Sequence, residues 1–337
     1  MNLSVDVNNI LVIKLRYIGD VLLATPVFRA LRHQYPGARI SALVNAGTDE
    51  VLRRNPNFEE IFLVPRGTWK TQVRFLCDIR SRWFDCVIDL TDGDRSAVIS
   101  FFTGASIRIG LNHERRWRGW LYSQAVEAPY GAMHMVDYHA QALTCLGIST
   151  NVGEPELFVG EEDELAADRL LHHAGCRGEK WVMIHPAARY WFKAWPPERF
   201  AGLSDTLIER GLKVVLVGHS DDQGIGEVVQ GTAKHKLISL IGQTSLLELA
   251  GLMKRCALFI GNDGGPMHMA AAVGCPVVAL FGPTDPMVWG PKGKQTAVLY
   301  KGLDCRDCFY PGCFRGESSC MKQISVDEVY EAARRFI

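Results

Sequence analysis

The 337-residue chain carries 37 Lys+Arg against 37 Asp+Glu, a balance that excludes a bulk polyanion binder, and its 47% hydrophobic share excludes a disordered chain. Its length exceeds what one ordinary core fills and predicts two domains. No stretch approaches the roughly 18 uninterrupted apolar residues of a membrane helix. Residues 1–10 lack the basic and apolar regions of a signal peptide, so the ten cysteines are expected as reduced cytoplasmic thiols.

The first predicted strand, 9–15, is apolar on both faces, as in a buried parallel sheet. It runs into Arg16-Tyr17-Ile18-Gly19-Asp20 and a helix over about 21–34 that Tyr35-Pro36-Gly37 ends. The alternation continues with strand 40–44, helix 48–54, strand 61–64, helix 69–83, strand 86–90, helix 96–102 and a short strand 107–109. Strands alternating with helices through short loops predict a doubly wound parallel sheet, in which ligands bind beyond the carboxyl ends of the strands. That rule places Gly19-Asp20 and Thr91-Asp92-Gly93-Asp94 at the functional rim. A helix cap is the commoner use of an aspartate in such a position, and a catalytic base is the sharper one. Residues 108–120 are basic and aromatic (Arg108, His113, Arg115, Arg116, Trp117, Arg118, Trp120). A solvated surface loop accounts for such a run; so does a grip for an anionic acceptor, with indoles suited to a lipid headgroup zone. No nucleic-acid-binding motif accompanies it.

Polar residues 149–160 read as a linker, dividing the chain into 1–150, 151–325 and a terminal helical segment 326–337. After an acidic helix over 161–173, a second alternating series begins: strand 181–184, helix 196–210, strand 213–217, helix 224–230, strand 237–240, helix 245–255, strand 257–260 and strand 277–281. Two such units are expected to place their largest cleft between them. Phe259-Ile260-Gly261-Asn262-Asp263-Gly264-Gly265-Pro266-Met267-His268 is a strand, a glycine turn and a helix start with Pro in the first turn. Its exposed N–H groups and helix dipole would cradle an anion. Lys193, just before a helix start, is placed to neutralise a phosphate, and the acids of Gly218-His219-Ser220-Asp221-Asp222 to bind ribose hydroxyls. Neither a Gly-x-x-x-x-Gly-Lys-Ser/Thr loop nor a Gly-x-Gly-x-x-Gly follows the first strand, which disfavours a P-loop nucleotidase or a nicotinamide enzyme.

Taken together, Ile10-Leu11-Val12-Ile13-Lys14-Leu15-Arg16-Tyr17-Ile18-Gly19-Asp20, Phe192-Lys193-Ala194-Trp195-Pro196, Asn262-Asp263-Gly264-Gly265-Pro266-Met267-His268 and Gly282-Pro283-Thr284-Asp285-Pro286 resemble glycosyltransferase family 9, the heptosyltransferases of lipopolysaccharide core synthesis. The opening motif, Asp89-Leu90-Thr91-Asp92 and Phe192-Lys193 are most similar to the heptosyltransferase III branch. The resemblance implies an α/β GT-B fold of two Rossmann-like domains, an N-terminal one for the acceptor and a C-terminal one for the donor. It further implies an ADP-heptose donor and inverting, metal-independent transfer to a lipid-linked core oligosaccharide, carried out in the cytoplasm at the inner face of the inner membrane. Asp20 matches the catalytic base. Lys193, Asp263, Gly264, Gly265 and His268 match the donor diphosphate site, Asp222 a ribose contact and Thr244 a residue beside adenine. Arg66, Arg115 and Arg116 are candidates for the acceptor. Gly264 departs from the family, which often has Ser or Thr there.

Cys305, Cys308, Cys313 and Cys320 form a looser spacing than paired Cys-x-x-Cys knuckles. They read either as a structural zinc or iron site or as free thiols, and not as a catalytic metal centre. Two rivals to the transferase are a sugar-nucleotide epimerase of the same fold, which would need no acceptor, and a degenerate nucleotide-sugar-binding scaffold.

Overall fold

A computed structural model describes residues 7–176, 178–305, 308 and 312–337. The chain divides into two compact units, one up to Phe158 and one from Val159. In the first, strands β1 (Asn9–Lys14), β2 (Arg39–Asn45), β3 (Glu60–Val64), β4 (Cys86–Asp89), β5 (Ile107–Leu111) and β6 (Gln124–Val126) form one parallel sheet in the order β3-β2-β1-β4-β5-β6. In the second, β7 (Trp181–His185), β8 (Lys213–Leu216), β9 (Ile238–Ser239), β10 (Leu258–Asn262), β11 (Val277–Phe281) and β12 (Thr296–Tyr300) form another, in the order β12-β11-β10-β7-β8-β9. Read from the other edge, the second order repeats the first, so each unit is a complete Rossmann-type sheet. Each has its topological switch between its first and fourth strands, where loops diverge and leave room for a ligand.

The cores explain why the apolar runs become central strands. Ile10, Leu11, Val12 and Ile13 of β1 are fully buried, and Leu11 and Ile13 pack with Leu43, Phe62, Val87 and Ile79, the last on helix Trp69–Arg80. Each such side chain contributes about 1.5–3 kcal/mol through removal from water. In the second unit Trp195, Phe200 and Leu203 pack with Val329, Ala332 and Ala333 of helix Val326–Ala333. The expected terminal segment 326–337 is therefore part of the second core and not a separate body.

Several boundaries differ from the sequence expectations. The predicted helix 21–34 is two helices, Ile18–Leu22 and Thr25–Gln34. Pro26 has no N–H with which to continue a helix, and Thr25 Oγ1 donates to Leu22 O (2.7 Å) across the break. The helix expected over 48–54 is a single tight turn, Glu50–Leu52. The short strand β6 and helix Met135–Ala140 carried no distinctive pattern and were not expected. The domain boundary lies at 158/159, not 150/151, because Arg29 fastens the preceding segment to the first unit. Its guanidinium donates to Glu156 (2.5 Å), Val152 O (2.5 Å) and Glu154 O (3.0 Å).

Candidate active site

In the first unit the candidate base stands at the switch point. Asp20 lies in the short helix that follows β1, with 15% of its side chain exposed. Its carboxylate is 3.7 Å from the ammonium of Lys14, the last residue of β1, which is buried. Lys14 Nζ also donates to Leu90 O (3.0 Å) and faces His139 Nε2 at 2.8 Å. His139 is fully buried, and its Nδ1 is 3.1 Å from Leu23 O. A carbonyl only accepts, so Nδ1 carries the ring hydrogen and Nε2 accepts from Lys14. Burial lowers the pKa of His139 well below the ordinary histidine range, and the Lys14 charge adds to that, so the ring is neutral. Burial also lowers that of Lys14, against the opposing pull of Asp20.

The loop after β4 places Asp92 beside this site in a left-handed backbone conformation (φ 55°). Asp92 accepts from Tyr138 Oη (2.7 Å), from Arg118 Nη2 (2.5 Å) and from His113 Nδ1. Burial pushes its carboxyl up, but these donors outweigh burial and hold it below the usual range. His113 in turn stacks on Tyr130, with ring centroids 4.6 Å apart. Asp20, Asp92 and His113 therefore follow β1, β4 and β5, three adjacent strands, and line one stretch of the rim.

The basic loop is less positive than its sequence suggests. Arg118 is not a surface cation but is 1% exposed, bridging Asp92, Asp94 and Glu114. Arg115 pairs with Glu127 (2.8 Å) and Arg116 with Glu114 (3.3 Å), both on the surface, and Arg66 is exposed. The indole of Trp120 is 88% exposed.

The second unit assembles the expected donor residues along four adjacent strands. After β10, Asp263 is buried and its Oδ2 pairs with Lys193 Nζ at 2.5 Å. Gly264 has extended backbone, and helix Gly265–Ala272 begins with Pro266 in its first turn. His268 lies buried in this helix. Asn262, just before Asp263, was not singled out from the sequence. It accepts from Trp195 N (3.0 Å) and donates to Pro186 O (2.9 Å) and Ala187 O (3.2 Å), so one amide fixes the Lys193 turn and the loop after β7 against the cradle. Gly282 belongs to the same construction: a Cβ there would stand 2.7 Å from Phe192 O, so only glycine lets β11 end against the Lys193 turn.

Next along the rim, Asp222 follows β8 and accepts from His219 N (2.7 Å), with His185 Nε2 3.9 Å away. Burial lowers the pKa of His185 and Asp222 opposes the shift. The loop after β9 bears half-buried Thr244 and is tied to the loop after β8 by Gly242 N donating to Gly218 O (2.9 Å). The order Asp263, Lys193, Asp222, Thr244 thus follows β10-β7-β8-β9. Three strand spacings are about 14 Å, the length scale of a nucleoside diphosphate.

No disulfide joins Cys305, Cys308, Cys313 and Cys320. Burial raises the pKa of Cys320, and the neighbouring thiols Cys308, Cys305 and Cys313 add to it. Among the described residues no group of three or more His, Cys, Asp or Glu is arranged to hold a metal ion.

The signature of glycosyltransferase family 9 (heptosyltransferase) matches residues 73–317. Lipopolysaccharide heptosyltransferase 3 of Escherichia coli K12 is 33% identical over 298 residues, covering 86% of this chain and 86% of that protein. Among solved structures, a glycosyl transferase family 9 protein of Veillonella parvula is 26% identical with a TM-score of 0.86, covering 100% of this chain and 98% of its own. The E. coli ADP-heptose heptosyltransferase II is similar in fold, with a TM-score of 0.82 at 24% identity over 97% of this chain and 98% of its own.

Proposed function

Because the chain belongs to glycosyltransferase family 9, we propose that it transfers a heptose from ADP-heptose to a lipopolysaccharide core oligosaccharide, in the manner of a heptosyltransferase III. Two observations support this, one in each unit: a rim carboxylate, Asp20, in the first, and an anion cradle flanked by Lys193 in the second. Asp20 takes the proton of the acceptor hydroxyl as its oxygen attacks the anomeric carbon, inverting that centre. The sugar–phosphate bond breaks and ADP carries the electron pair away. Lys193 and the N–H groups at the start of helix Gly265–Ala272 neutralise the diphosphate as that charge develops, which leaves no step that needs a metal ion. Asp222 binds the ribose and Thr244 lies beside the base. The Cys-rich segment has a structural role in this reading. The test is mass analysis of truncated core oligosaccharides incubated with ADP-heptose: a single added heptose on one acceptor with one ADP released supports it. Conversion of the donor without an acceptor points instead to an epimerase, and the absence of ADP binding overturns the donor assignment.

We place the enzyme's acceptor at a membrane surface, in the cytoplasm. No helix of the described residues is long and apolar enough to cross a membrane. Contact would therefore be peripheral, through the exposed aromatics of the first unit: Trp69 (71% exposed, with Lys70 Nζ 5.9 Å from its ring), Trp117 and Trp120. Indoles beside cations suit the headgroup zone. The protein is expected to sediment with vesicles containing anionic lipid and not with purely zwitterionic ones. Replacing Trp69 and Trp120 together by Ala should lower the bound fraction about tenfold; unchanged binding would rule out this surface.

A further inference from the structure

Outside the residues assigned to substrate, the most unusual feature of the first unit is a lysine inside a fully apolar parallel strand. Lys14 ends β1, is 3% exposed, and has a completely buried histidine as its neighbour. A buried ammonium without compensation is costly, and a hydrophobic residue at this place would pack without that cost. The compensation is specific. Leu90 O at 3.0 Å and His139 Nε2 at 2.8 Å take two of the three ammonium hydrogens, and the third side of Nζ faces Asp20 at 3.7 Å. His139 is fixed in its turn by Leu23 O, on the chain that leaves the Asp20 helix.

We propose that Lys14 and His139 are positioning residues for the reaction: His139, as a neutral acceptor, aims the Lys14 ammonium at Asp20, and this fixed charge orients the Asp20 carboxylate as acceptor base. Neither residue touches substrate. The charged and titratable groups around Lys14 are Asp20 on the short helix, Arg16 on the loop, Asp89 on β4 and His139 on helix Met135–Ala140, with His134 behind the imidazole. Of these, the Asp20 carboxylate is the acid exposed to the rim, whereas Asp89 is fully buried and accepts from Tyr122 Oη (2.7 Å) and Thr91 N (2.9 Å).

A positive charge within about 4–6 Å favours the ionised carboxylate. Removing it leaves the Asp20 carboxylate without the contact that orients it, so the chemical step slows while donor binding is kept. Lys14→Met, which keeps the length of the side chain without its charge, is expected to lower kcat about tenfold or more at neutral pH with little change in donor KM. His139→Leu should lower kcat in the same way, and His139→Gln, whose amide oxygen accepts from Lys14 while its NH2 donates to Leu23 O, should restore it. Ethylammonium added to Lys14→Ala should recover activity that propanol does not.

The inference rests on Asp20 as the base, and Asp20→Asn separates the two. If Asp20→Asn keeps the transfer, the base assignment has failed. If Asp20→Asn is inactive but Lys14→Met keeps its kcat, or loses kcat and donor affinity alike, Lys14 is only structural and this inference has failed. Acting through Asp20 also requires that Lys14→Met in the Asp20→Asn background cost nothing further in kcat; an added loss overturns the assignment. Should Lys14→Met not fold, the pair His139→Leu and His139→Gln, made with Lys14 intact, decides by the same loss and recovery of kcat.

Discussion

Asp20→Asn is expected to lower kcat by about 10²–10⁴-fold while leaving ADP affinity within about twofold of the native value. The substitution is nearly isosteric, so the site keeps its shape and loses its basicity. The candidate ADP contacts (Lys193, Asp222, Thr244 and Asp263) belong to the other unit, which folds around its own core, so a titration of ADP reports on a site that the substitution does not touch. Full activity in this variant would place the base elsewhere, and Asp92 is the next carboxylate along the rim. Asp92 is a poor candidate on physical grounds. Its oxygens already accept from Tyr138, His113 and Arg118, and a carboxylate stabilised by three donors has little affinity left for a proton from an acceptor hydroxyl.

Lys193→Met is expected to lower kcat/KM by about 10²–10³-fold, appearing in both donor KM and kcat. The ammonium is held by Asp263, 6% exposed, at 2.5 Å. In the proposed reaction that pair holds Lys193 at the cradle, where the diphosphate would share its charge. Removing the lysine also leaves the Asp263 carboxylate buried without its countercharge, which destabilises the second unit by about 3 kcal/mol. The two effects separate in the double variant Lys193→Met/Asp263→Asn. The second change should return the melting temperature toward the native value but not the activity. If activity returns with stability, Lys193 serves the fold and not the diphosphate.

How far these residues were legible beforehand follows from the range of the forces that place them. Strand periodicity, glycine turns and the Pro266 helix start are local, so two parallel α/β units, the rim position of Asp20 and the cradle at Asp263 could be read from the chain in order. The boundary at 158/159 could not, because a side chain at position 29 sets it through bonds to residues 152–156. Nor could the fate of the basic loop: Arg118 looks like its neighbours in sequence, but Asp92, Asp94 and Glu114 draw it inward while Arg115 and Arg116 stay on the surface.

The sequence by itself therefore determined the chemistry on offer: which strand ends carry an acid, a lysine and a glycine cradle, and the family in which that set occurs. Only the tertiary structure decided which groups meet. Lys14 lies in a strand whose sequence reads as apolar on both faces, and its partner lies 125 residues away on a helix with no marked pattern. Asn262 likewise gained its role only when β10 formed beside β7 and brought the turns at Pro186 and Trp195 within reach of one amide. The physical reason is the same in both cases. Hydrogen bonds and ion pairs act over a few ångströms, and which polar groups come within that distance is fixed by sheet order and core packing, not by neighbourhood in the chain.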